Sequence, residues 1–155
     1  MNSQNLQFYR LQADSIGLEQ MKQVNELYAD AFKEEEMYRQ RRPSDNYLLE
    51  QLVKDHVIVC TAVVEDKVIG ALTAYVFDKL ERETAEMYVY DLAVDESCRR
   101  QKTATRLLEF LFRQAEEIGV SAIFIQADKE DKPAVALYES LGVKEEVFHF
   151  DIYTK

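Results

Sequence analysis

The chain is poor in residues that interrupt or bridge a fold. Only four glycines and two prolines occur in 155 residues. No Pro/Gly/Ser-rich linker, low-complexity tract or internal repeat separates them, so a single domain over residues 1–155 is expected. Cys60 and Cys98 lie far apart without paired spacing, and His56 and His149 stand alone. Neither a disulfide framework nor a metal site is supported. No run approaches the roughly 18 apolar residues of a membrane span. Residues 1–15 contain no apolar core of a secretory signal. A cytoplasmic, reducing setting without a membrane partner is therefore expected. Positive charge is also scarce: 19 Lys plus Arg stand against 29 Asp plus Glu, a formal net charge of -10. Such a surface repels nucleic acid and attracts cations, although the same charge also serves solubility.

Apolar residues make up 47% of the chain, with nine Tyr and eight Phe, enough for one sizeable core. Their spacing predicts strands at 6–11, Val57–Val64, 68–77, 86–94, 121–126 and 147–153. Helical spacing covers 17–32, 46–54 after Ser44, and 102–118, with Gly119 at its end. A short helix opens at Pro133 and ends at Gly142. Residues 33–42 and 78–84 read as polar loops, and Glu65-Asp66-Lys67 as a tight turn. The expected class is α/β: a mixed sheet with helices on both faces.

The strand at 86–94 feeds the helix at 102–118 through a short basic loop carrying Arg99 and Arg100. The first amides of a helix lack partners and its dipole favours negative charge, so this junction suits a pyrophosphate. An exposed helix end with two solvated guanidinium groups is the other reading.

The run Asp91-Leu92-Ala93-Val94, followed by Cys98-Arg99-Arg100-Gln101-Lys102-Thr103-Ala104, resembles the acetyl-CoA motif of the GNAT superfamily, Gln/Arg-x-x-Gly-x-Gly/Ala. Lys102 stands where the family has its first Gly, which lets the backbone approach the pyrophosphate. The Lys102 amide can still donate and its ammonium can add a phosphate contact, or the side chain can crowd the coenzyme. The segment from Asp131 through Ala134 and Tyr138 to Gly142 resembles the family's Asn-x-x-Ala-x-x-Leu-Tyr-x-x-x-Gly, with Asp131 replacing Asn. The resemblance implies a splayed, mostly antiparallel mixed sheet. It implies acetyl-CoA as cosubstrate, no metal, and Tyr138 as proton donor to the departing thiolate. It also implies backbone contacts from Leu92, Ala93 and Val94 to the pantetheine arm, and Arg99 through Ala104, with Asp131 and Ala134, at the cofactor. A homodimer, common among such relatives, is the expected assembly.

Within that superfamily, stretches at 43–48, 70–76, 88–94, 126–128 and 145–151 resemble aminoglycoside 3-N-acetyltransferases, enzymes of antibiotic resistance. The implied substrate is a small polycationic amine, acetylated by direct transfer in a ternary complex. Asp91 interrupts a strand of Met, Tyr, Val, Leu and Ala. A carboxylate in such surroundings is costly unless paired or facing a cleft. It is the candidate base for the substrate ammonium, because only the neutral amine has a lone pair for attack. A structural Asp bonded to an amide or Arg is the alternative. Tyr90, Asp128, Asp151 and Glu35 are expected to line the substrate cleft, with Glu34, Glu36, Asp45, Asp78 and Glu81 as further acidic candidates. Two rival functions stand beside this one: a GNAT acting on polyamines or a protein amino group, and a non-catalytic module that binds acetyl-CoA or polycations.

Overall fold

A computed structural model of the chain describes residues 5–34, 36–99 and 101–155. Two compact units divide it, residues 1–125 and 126–155. In the first, β1 (Gln7–Arg10), α1 (Ser15–Phe32), a π-helical turn (Glu36–Gln40) and α2 (Asp45–Leu52) precede the strands β2 (Val57–Val64), β3 (Lys67–Asp78) and β4 (Ala85–Val94). A 3₁₀ turn (Glu96–Cys98), α3 (Thr103–Glu117) and β5 (Val120–Ile125) complete it. The sheet order is β1-β2-β3-β4-β5; the first three pairings are antiparallel and β4–β5 is parallel. A mixed sheet of this kind was expected from the alternation of elements.

The two faces follow from the pleat. Val59, Val63, Ala71 and Ala93 point to one side and pack with Leu11, Val24, Leu27 and Tyr28, which puts α1 on that face. A buried polar bond crosses the same layer: the Thr61 hydroxyl donates to the Gln20 Oε1 at 2.6 Å. The α3 stripe of Leu107, Leu108, Leu111 and Ala115 is buried, and α3 contacts strands β2 to β5. Phe8 of β1 stacks on Phe110 of α3, with centroids 5.9 Å apart. A Cβ on Gly70 would stand 3.3 Å from Thr103 Cγ2, so β3 and the start of α3 approach closely there.

The β2–β3 connection is a two-residue turn with Glu65 and Asp66 both at positive φ, 49° and 64°. That is the handedness a tight hairpin demands.

The second unit contains α4 (Lys132–Leu141), with Pro133 in its first turn. Residues 143–155 hold no strand, in contrast to the strand predicted at 147–153. The apolar pattern there is genuine, but a strand exists only through a partner's ladder. Phe148, Phe150 and Ile152 are exposed. Residues 36–40, predicted as loop, instead form a separate π-helical turn, with the Tyr38 amide donating to the Glu34 carbonyl at 3.2 Å.

Candidate active site

The site begins with an irregularity in β4. Thr73 of β3 faces Asp91, but the next residue, Ala74, faces Val89, so Tyr90 is an extra residue in β4. A bulge of this kind re-aims a side chain by shifting the alternation of faces. In a regular strand Tyr88 and Asp91 would point to opposite sides. With Tyr90 bulged, Tyr88 opposite Tyr75 and Asp91 opposite Thr73 share the face covered by α1. Tyr90 itself is exposed, and its ring stands edge-on to Tyr75 and Tyr88 at 6.2 and 6.0 Å.

Asp91 is half-buried. Among the described residues, its carboxylate accepts a hydrogen bond from the Tyr38 hydroxyl at 3.4 Å and forms no ion pair with a basic group. Burial pushes its pKa up to about 6; the Tyr38 bond pulls down and the charge of Glu34 adds to the rise. The carboxyl therefore titrates just below neutrality, where a proton acceptor is most useful. Burial also raises the hydroxyls of Tyr28, Tyr38, Tyr75 and Tyr88, and the Asp91 charge adds to each rise. All four stay protonated donors near pH 7. Tyr28 is held by the Thr73 hydroxyl at 2.9 Å, and Tyr38 by its rings' contacts with Tyr28 and Phe32 at 5.8 and 5.9 Å. A cleft of about 240 Å³ adjoins this cluster, walled by Met21, Met37, Tyr38, Tyr47, Thr73 and Tyr75 among others.

β5 leaves β4 at the Val89–Ile125 pair. Beyond it, among the described residues, no strand pairs with that edge of β4 at Tyr90, Leu92, Ala93 and Val94. Backbone groups alternate along a strand: Ala93 is turned to Ala71 of β3, whereas the amides of Leu92 and Val94 face the open edge and suit an extended ligand.

The junction between β4 and α3 offers positive potential. Three helices are capped by a side chain: Asp14 accepts from the Gly17 amide at 2.7 Å, Ser44 from Tyr47 at 3.2 Å, and Asp131 from Ala134 at 3.2 Å. α3 is not; Lys102 at its N-cap is left-handed, φ 60° and ψ 20°, and makes no capping bond. The first amides of α3, beginning at Thr103 and Ala104, are thus open to an anion. Arg99 is exposed, its Nε donating to the Val94 carbonyl at 3.4 Å. Gln101 is exposed and Thr103 buried. Arg100 and Glu35 lie outside the described residues.

In the second unit Tyr138 is lifted to about 12, by burial first and then by Asp131, so its hydroxyl carries its proton at neutral pH. Asp131 and Ala134 satisfy one another as the cap of α4. Asp151 sits beside His149 at 2.9 Å, and the Asp128 carbonyl accepts from the Asp131 amide at 3.0 Å. Several acidic candidates of the first unit are engaged in surface ion pairs: Asp45 with Lys22 at 3.0 Å, Glu81 with Lys79 at 2.8 Å, Glu36 with Arg41 at 3.5 Å. Glu34, in contrast, lends its charge to Asp91. The sequence reading missed Tyr38, Thr73 and Tyr75 as members of the site. Tyr38 lies 53 residues from Asp91, and no local pattern ties them together.

Among the described residues no group of three or more His, Cys, Asp or Glu is placed to hold a metal ion, and no helix is long and apolar enough to cross a membrane.

An open strand edge beside an uncapped helix and a half-buried carboxylate is the arrangement expected of acyl transfer from a nucleotide-bearing thioester. Comparison with known proteins agrees in class. The acetyltransferase (GNAT) family profile matches residues 21–143, and the chain belongs to that family. It is 39% identical to an aminoglycoside acetyltransferase from an uncultured soil metagenomic sample, over 97% of this chain and 99% of the other, with a TM-score of 0.92. A second soil-metagenome aminoglycoside acetyltransferase, crystallised with sisomicin, is 30% identical over the whole of both chains, with a TM-score of 0.90. The ribosomal protein bS18 alanine N-acetyltransferase of Escherichia coli is 30% identical over 84 residues, 54% of this chain and 55% of that protein. The chain thus spans about half the length of the curated relatives it matches.

Proposed function

We propose that this chain is an acetyl-CoA-dependent N-acetyltransferase, one catalytic domain over residues 1–155, that acetylates the 3-amino group of an aminoglycoside and confers resistance. The observation that carries the reading is Asp91: a half-buried carboxylate with a pKa near 6 and no basic partner among the described residues, next to an unpaired strand edge. Such a group awaits a cation from outside the chain. The soil-metagenome relatives support an aminoglycoside as that cation.

The residues present fit the cosubstrate. The open edge at Leu92 and Val94, either side of Ala93, suits the amide groups of a pantetheine arm, and the uncapped start of α3 with Arg99 suits a diphosphate. Acetyl-CoA, when bound, supplies the activated acetyl thioester. The side chain of Asp91 attracts the substrate ammonium and takes its proton, directly or through water, freeing the lone pair for attack. An amide on the β4 edge donates to the carbonyl oxygen as negative charge gathers there. Tyr138 delivers its proton toward the departing sulfur, a role its motif suggests and its protonated state permits.

A second reading rests on the bS18 alanine acetyltransferase relative: the acceptor is the N-terminal amine of a protein. One assay separates the possibilities. Thiol release from acetyl-CoA is measured with gentamicin, with spermidine and with an alanine-initiated peptide. Turnover with gentamicin alone, and a product acetylated at the 3-amino group by NMR, is the expected result. Turnover confined to the peptide or to spermidine transfers the chain to that substrate class, and no release with any amine removes the enzymatic reading.

A further inference from the structure

Tyr38 touches the reaction's candidate base and has no role in the scheme above. It rides on the π-helical turn Glu36–Gln40, an uncommon geometry that recurs at functional sites. Its ring is clamped between Tyr28 and Phe32, and it also walls the 240 Å³ cleft. Its hydroxyl reaches Asp91 Oδ1 at 3.4 Å, the carboxylate's one hydrogen bond within the described residues. We propose that Tyr38 is the positioning residue of the acceptor site, donating to Asp91 so that the carboxylate stays aimed and charged until an ammonium takes its place beside it. The inference rests on Asp91 acting on the amine.

The geometry supports a bond that yields rather than locks. A separation of 3.4 Å is long for O–H···O, so the bond is weak and gives way readily to an arriving ammonium. The groups facing Asp91 make the contribution necessary. Glu34 opposes a second negative charge, and burial by α1 and β3 opposes any charge at all. From α1 comes Tyr28, whose hydroxyl is engaged with Thr73. From β3 and β4 come Tyr75, Tyr88 and Tyr90, none of which bonds to the carboxylate. Tyr38 is the group here that favours the ionised form, and burial together with the Asp91 charge holds its own proton in place. Removal of the hydroxyl therefore shifts Asp91 toward its protonated form.

The test is Tyr38→Phe, which preserves the ring contacts. Aspartate is labelled with carbon-13 at Cγ in the full chain, and the Asp91 resonance is assigned by its loss in Asp91→Asn. In the parent protein its midpoint is expected at about 6; in Tyr38→Phe it should move to higher pH. The acid limb of the kcat/KM profile with gentamicin moves with it. A shift of one unit lowers the rate on that limb about tenfold and leaves the rate at pH 9 nearly unchanged. An unmoved carbon-13 midpoint, or a loss of equal size at every pH, overturns the role of Tyr38. If the midpoint moves while Asp91→Asn keeps full activity, the reading of Asp91 as base is what fails, and the role of Tyr38 falls with it. An inactive Asp91→Asn with an unmoved Tyr38→Phe midpoint removes Tyr38 alone.

Discussion

Lys102 carries the conflict between two demands on a single residue. Its φ of 60° lies in the left-handed region, where a side chain is disfavoured by about 1–2 kcal/mol and glycine is not. The GNAT motif has glycine at this place, and the conformation shows why: the chain must turn left-handed to begin α3 with its amides exposed. Lysine keeps the turn and accepts the strain. Lys102→Gly should raise the stability of the ligand-free protein by about 0.5–1 kcal/mol, after allowance for the greater freedom of glycine in the unfolded chain. Calorimetry should show a melting temperature about 1–4 °C higher. A fall in melting temperature would mean that the Lys102 side chain makes a contribution larger than the strain. Acetyl-CoA affinity, measured on the same variant, separates the two readings of that side chain: it tightens if lysine crowds the diphosphate and weakens if the ammonium grips it.

At the scale of elements, local patterns read well and non-local ones did not. The stripe of Leu107, Leu108, Leu111 and Ala115 places α3 because helical periodicity is written in neighbouring residues. The Glu65-Asp66 turn is legible for the same reason. The bulge at Tyr90 is invisible in Tyr-Val-Tyr-Asp-Leu-Ala-Val, because it arises from pairing with β3, and it alone turns Asp91 toward Tyr88, Thr73 and α1. The apolar alternation at 147–153 signalled a strand, but the ladder that would make it one depends on residues remote in sequence. Of the site, Asp91 and the β4–α3 junction could be picked out; Tyr38 could not. Gly17 shows how tertiary contact overrides local preference. Alanine is the better helix former by about 1 kcal/mol, yet a Cβ at this position of α1 would lie 1.8 Å from the Gln12 carbonyl oxygen. The neighbour is backbone and has little room to move. Gly17→Ala should thus destabilise the protein by about 2–3 kcal/mol, read as a lower urea midpoint at unchanged slope. A neutral or stabilising result would show that the approach of residue 12 to α1 is loose.

At the scale of the whole molecule, the net charge of -10 acts in opposite senses on the two proposed substrates. A polycationic amine is drawn to such a surface; an anionic coenzyme is repelled by it and must be held by local groups. For the amine, much of the attraction is long-ranged, and salt screens charges beyond about 10 Å at 0.1 M. For acetyl-CoA, attraction would come from amides at the start of α3 and from Arg99, within hydrogen-bonding distance, where screening matters less. The Michaelis constants should therefore respond differently when sodium chloride is raised from about 0.05 to about 0.5 M. That for gentamicin should rise several-fold with kcat nearly constant, since steering affects encounter more than chemistry. That for acetyl-CoA should stay flat or fall, as screening also relieves its repulsion by the acidic surface. Choline chloride in place of sodium chloride tests whether ionic strength alone is responsible. A gentamicin constant indifferent to salt would mean that the acidic surface serves solubility, and that recognition of the amine rests on Asp91 and its immediate neighbours.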